Sequence, residues 1–310
     1  MPVWILIVIV AQFLNAVVAV IDKHIVTDEK VSAPVTYVFY VGLLSVLSLV
    51  VFITSIIPVN IGGFSFPHIQ HIYLPSLKLV AFSLLAGYSF IIFLFFLYTA
   101  FKKSDASDVV PVVGSVNAIL TFIISFIFIG EVLTDNFILG FTFLIMSMVI
   151  LSHFRFTKRI LIYAILAGVF SAIYYSAMKI MFVEFAFDQT FYWSRMGILV
   201  ATLSILLIPR FRKNVFQGMK GTKIKSSFWI LGNSILGGIA GIALLKATEL
   251  GSVTVVQVMS GLQFTFLVIF SILFGRATPT TFGENNNIND IIQKAVSVSF
   301  IVLGFYWLFK

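Results

Sequence analysis

The first side chain to consider for chemistry is Arg195, in the run Tyr192-Trp193-Ser194-Arg195-Met196-Gly197. It is the one ionised group read as lying well inside an apolar stretch. Holding an arginine there costs roughly 2.5 to 3.5 kcal/mol on insertion scales, so something must offset it. A guanidinium facing a cavity would bind a carboxylate or phosphate with two parallel hydrogen bonds. Alternatively it is structural, with Glu184 and Asp188 at the same end of the run. Around it stand uncharged groups able to hold a solute. The amides Gln12, Asn15, Asn117, Asn233 and Gln257 fall inside apolar runs, and the aromatics Tyr37, Tyr40, Tyr88, Tyr175 and Trp193 can stack or make cation–π contacts. Each also has a plainer reading, an interhelical hydrogen bond for an amide and packing or a lipid interface for an aromatic. Glu131, at a helix end, reads as a turn organiser, and Lys179 as a snorkelling cation. His68 and His71 have helical metal-ligand spacing but sit in a polar connector with no carboxylate close by. No metal or cofactor is expected. Cysteine is absent, which removes disulfides and thiolate chemistry. These groups bind solutes; they do not make a nucleophile and its base.

Such residues need helices to position them in a membrane. The chain is 60% hydrophobic and 10% charged, with mean hydropathy +1.09, whereas soluble domains run at about 45 to 50% apolar and 25% charged. The excess apolar surface must face lipid. Apolar runs fall at about 3 to 21, 33 to 57, 79 to 101, 108 to 130 and 136 to 152, then 160 to 182, 189 to 209, 227 to 246, 251 to 275 and 291 to 309. Asp22-Lys23-His24 and Lys102-Lys103-Ser104-Asp105 read as connectors between runs, as do Arg210 to Lys225 and an Asn-rich stretch from Gly283. Met1-Pro2-Val3-Trp4 offers no basic leader, so the first run is expected to be a retained helix. The net charge of +8 sits in the connectors, a pattern of membrane orientation and not of nucleic-acid binding.

The ten runs form two similar sets of five, at residues 1–153 and 154–310. Ala16 and Lys23 match Ala172 and Lys179 at an offset of 156, and Tyr37 and Gly42 match Tyr192 and Gly197 at 155. Five is odd, so the second set would enter from the opposite side as an inverted repeat, the symmetry that alternating access uses. The expected fold is an all-α integral membrane protein of ten transmembrane helices in two inverted five-helix repeats. Gly114, Asn117, Thr121 and Ser125 share one helical stripe, as do Gln12, Asn15 and Ala19, and also Gln257, Ser260 and Gly261. Gly237-x-x-x-Gly241, below Asn233, reads as a close-packing signal. Fifteen of the cations lie in loops after odd-numbered runs and four on the other side, which places both termini outside the cytoplasm.

The run from Ala100 through Lys102-Lys103-Ser104-Asp105-Ala106-Ser107 and Pro111, continuing past Asn117 and Thr121 to Gly130-Glu131, resembles the EamA-like ten-helix branch of the drug/metabolite transporter superfamily. Arg276 departs from the Glu usual there, and the stretch from Ala277 to Asp290 is irregular. The resemblance implies a secondary transporter, an exporter or exchanger, with its cavity between the two halves. It also implies both termini inside, against the charge bias. The expected partners are the lipid bilayer, by resemblance that of the cell (inner) membrane, and a small organic solute, anionic or zwitterionic. A membrane-embedded enzyme or sensor is the alternative.

Overall fold

The computed structural model describes residues 2–27, 33–56, 60–61, 64–65, 68–132, 135–152, 158–221, 224–274 and 288–309. Among the described residues the regular structure is helical apart from a short antiparallel ladder that pairs Asn60–Ile61 with Phe64–Ser65. In chain order the helices are α1 (Val3–Thr27), α2 (Pro34–Leu44), α3 (Leu77–Phe101), α4 (Ala106–Ile129), α5 (Asp135–Ser152) and α6 (Lys158–Glu184). They continue with α7 (Phe187–Ser204), α8 (Pro209–Gly221), α9 (Ile224–Leu250), α10 (Val253–Val258), α11 (Gly261–Phe274) and α12 (Ile288–Phe309). Among the described residues, eight helical stretches are long and apolar enough to cross a membrane. The apolar parts of α5 and α12 are shorter, Asn136–Ser147 and Ala295–Gly304. The protein is therefore a multi-pass membrane protein.

Local chemistry sets the helix ends. Pro34 opens α2 at a position that needs no N–H, and the Ser76 and Ser252 hydroxyls accept from Leu79 N and Val255 N at the starts of α3 and α10. Gly130 closes α4 in the left-handed region (φ 70°), with Glu131 N reaching back to Ser125 O. Past Leu44, α2 tightens into a 3-10 segment at Ser45–Ile56, where the Ser45 and Ser48 hydroxyls bond carbonyls three residues back. The span Val253–Ser271 is broken between α10 and α11 at Met259-Ser260.

Helix α3 packs on α6 and α7, α1 on α9 and α11, and α4 on α6, while α5 lies along α12. The α3/α7 crossing is backbone on backbone: a Cβ on Gly87 would stand 2.3 Å from the Gly197 carbonyl, and one on Gly197 2.0 Å from Ser83 O. By contrast, Gly241 has open space where its Cβ would be, and Gly237 meets only Val18, so the expected close packing there is corrected. Helix α5 runs antiparallel to α12: Gln293 Nε2 donates to Ile150 O, Ser147 Oγ to Ser297 O, and Gly304 approaches Gly140.

Two lysines do the same work at opposite faces. Lys23, on α1, donates to Phe101 O and Ser104 O at the end of α3, both at 2.6 Å. Lys179, on α6, donates to Thr248 O (2.8 Å) and Gly251 O (2.7 Å) at the end of α9. Each satisfies carbonyls that a helix C-terminus leaves without partners and complements the negative end of the helix dipole. Lys179 is thus a helix clamp and does not snorkel. The clamp at Lys23 faces the side where α1 and α3 end. The clamp at Lys179 shares the opposite side with the chain's N-terminal turn, where Trp4 lies under Gly251. Because α12 returns along α5, both ends of the described chain emerge on this second side.

Candidate functional site

A cavity of about 220 Å³ lies at the centre of the bundle, walled by α1, α2, α3, α4, α6, α7, α9 and the α10–α11 break. Of the residues singled out from sequence, Gln12, Asn15, Tyr37, Asn117, Tyr175, Arg195, Asn233 and Gln257 all line it. Tyr40, Tyr88 and Trp193 do not line it. Tyr88 is 42% exposed on the outer surface, Tyr40 packs edge-on against Phe39, and Trp193 Nε1 donates to Tyr73 O at one face. Arg276 lies outside the described residues.

Arg195 enters from α7 and is 6% exposed. Glu184 pairs with Lys78, and Asp188 accepts from His71 Nδ1 at 2.8 Å. Neither acid is therefore the arginine's partner, and among the described residues no carboxylate lies within ion-pair distance of it. The same contact corrects the reading of His68 and His71 as remote from carboxylates. The guanidinium lies 4.7 Å from the centre of the Phe191 ring and beside the Tyr174 hydroxyl, and its Nε has no partner. A guanidinium left without an anion in a low-dielectric interior is a site for one.

Asp22 is the functional group the sequence reading missed, because the first apolar run was ended at residue 21. Helix α1 continues to Thr27, and Asp22 is 5% exposed on its cavity face. Its carboxylate accepts from Tyr37 Oη at 2.5 Å and from Asn233 Nδ2 at 2.7 Å, with the Tyr98 hydroxyl also in reach. Arg195 is therefore not the one charge inside a span. The available signal was the stripe Gln12, Asn15 and Ala19, which at helical spacing extends to Asp22.

The amides divide between structure and cavity. Asn117 Nδ2 donates to Gln257 Oε1 at 2.8 Å, and Thr121 Oγ1 to Asn117 Oδ1 at 3.1 Å. Ser125 pairs with Thr254 at 2.9 Å, and Thr254 Oγ1 donates to Glu131. The stripe on α4 thus joins it to α10. Yet Gln12 Oε1, Asn233 Oδ1, Gln257 Nε2 and the hydroxyls of Ser234 and Ser260 are buried without partners, and all five residues line the cavity. Buried polar atoms are normally satisfied. Five further buried polar atoms without a hydrogen-bond partner, on Ser107, Ser176, Thr190, Glu249 and Ser297, lie away from the cavity, but those on its wall, with Arg195 Nε, face one common space, as the walls of a polar ligand's site do.

No family model and no curated protein matches the chain. Among solved structures, 26 chains match. One, described only as "Crystal structure of protein", is similar with a TM-score of 0.61 and 14% identity, over 96% of this chain and 96% of that one. At that identity the likeness concerns the fold alone.

Proposed function

We propose that the protein is a secondary transporter of the drug/metabolite type, moving a small organic solute across a cell membrane by alternating access. The observation that carries this reading is the cluster of partnerless polar atoms and the uncompensated Arg195 around one central cavity. Amides, hydroxyls, phenols and a guanidinium bind solutes. Two further features support the reading. The halves meet at the cavity through Asn117 and Gln257, and the Lys23 and Lys179 clamps repeat one arrangement at opposite faces, as two inverted repeats of five helices would. Helix α9 contributes three glycines to the wall, Gly237, Gly238 and Gly241, which leaves room for a ligand. Arg195 takes the solute's anionic group. Purified protein in proteoliposomes loaded with a metabolite mixture should release or exchange a subset of its acids, read by mass spectrometry against empty vesicles. Unchanged contents, with the protein folded and correctly inserted, would contradict transport.

A further inference from the structure

Two buried ionisable side chains, one acidic and one basic, face the cavity, and neither lies within ion-pair distance of an opposite partner among the described residues. Helix α3 measures the distance between them. Asp22 lies level with Tyr98, which it touches, while Arg195 lies beside Tyr174, whose ring sits 5.1 Å from that of Phe90. Tyr98 and Phe90 are eight residues apart on one helix, about 12 Å along its axis at 1.5 Å per residue. Between them the cavity face of α3 presents Phe93, Leu94 and Leu97 and no polar group. Gly237, Gly238 and Gly241 of α9 line the same cavity, and a Cβ on Gly241 would meet nothing.

We propose that the cavity is two-headed and takes an elongated zwitterion, an ammonium at Asp22 and a carboxylate or phosphate at Arg195, joined by an apolar middle. This rests on the transport reading above and narrows it to a substrate class. Taking a hydrogen bond of about 2.9 Å from each end when the solute lies in line leaves its charges about 6 to 12 Å apart. An α-amino acid, whose charges are one carbon apart, reaches one head only. The carboxylate of Asp22 already accepts from neutral donors, and an incoming ammonium supplies the charge those donors lack.

The test uses the intact protein and two readouts, thermal stabilisation in detergent and competition for counterflow in proteoliposomes. Its probes are ω-aminohexanoate and ω-aminooctanoate, with leucine, octanoate and octylamine as controls. The ω-amino acids should bind about tenfold or more tightly than leucine, octanoate or octylamine, the ratio expected for one charged hydrogen-bonded contact. Asp22→Asn, which keeps the side chain's shape, should reduce ω-aminooctanoate to the level of octanoate and leave octanoate unchanged. Arg195→Gln should reduce it to the level of octylamine. Equal binding of leucine and the ω-amino acids by the wild type overturns the proposal without reference to any variant. So does an Asp22→Asn protein that keeps full preference for the ω-amino acid. Binding is scored by stabilisation independently of flux, so absent flux with the predicted binding pattern counts against transport and not against the two-headed site.

Discussion

At the scale of single residues, the Asp22 carboxyl joins three helices: it belongs to α1 and accepts from Tyr37 on α2 and Asn233 on α9. Removing a donor from a buried acceptor costs about 1 to 3 kcal/mol. Tyr37→Phe and Asn233→Leu should each lower the melting temperature in detergent, whereas Tyr88→Phe, on the outer surface, should leave it unchanged. Equal melting of Tyr37→Phe and wild type would show that the network holds no helices together. The amides Gln12, Asn15, Asn117, Asn233 and Gln257 were legible in sequence because amides inside apolar runs are few, whereas Gln263 and the hydroxyls of Ser45, Ser48, Ser171 and Ser234, which also line the cavity, were not. Asp22 was not, because adjacent Lys23 and His24 give the segment the look of a loop. The carbonyls that make Lys23 acceptable inside the bundle come from residues 78 and 81 positions away, and no local pattern displays them.

Among elements, the glycines divide into two kinds by what faces them. Gly87 and Gly197 bring the backbones of α3 and α7 into contact, so Gly87→Ala or Gly197→Ala must push the helices apart and should lower stability by about 1 to 3 kcal/mol, as overpacking does. Gly241→Ala meets nothing. It should melt like the wild type, and Gly241→Leu should obstruct solute binding by projecting into the cavity. Similar melting of Gly87→Ala and Gly241→Ala would refute this division. The GxxxG spacing on α9 suggested packing because spacing alone does not say whether a helix or a cavity lies opposite. The lysine clamps give a second comparison. Lys23→Met and Lys179→Met each strand helix-terminal carbonyls. Both should destabilise the protein to a similar degree, and a marked inequality would argue against equivalent roles.

For the whole molecule, the multi-pass architecture was legible from hydropathy, because lipid-facing surface must be apolar throughout. The α5 and α12 segments were read with the same weight, although their apolar stretches are short and they lie paired against each other. Orientation follows from charge. The face where α1 and α3 end carries exposed Lys102, Lys103, Lys158, Arg159, Arg210, Arg212 and Lys213, and the positive-inside rule places it in the cytoplasm. Both ends of the chain should then lie outside, and a reporter fused after Lys310 should be inactive if it requires the cytoplasm. An active cytoplasmic reporter would reverse the assignment. In the proposed transport cycle one cavity opens in turn to both faces, and the absence of native cysteine allows a direct measurement. Ser171→Cys places a single thiol on the wall of the cavity. In oriented vesicles a membrane-impermeant maleimide applied to either face alone should label it, and a bound solute should slow the labelling from both. Labelling from one face only, at a rate no solute alters, would contradict alternating access.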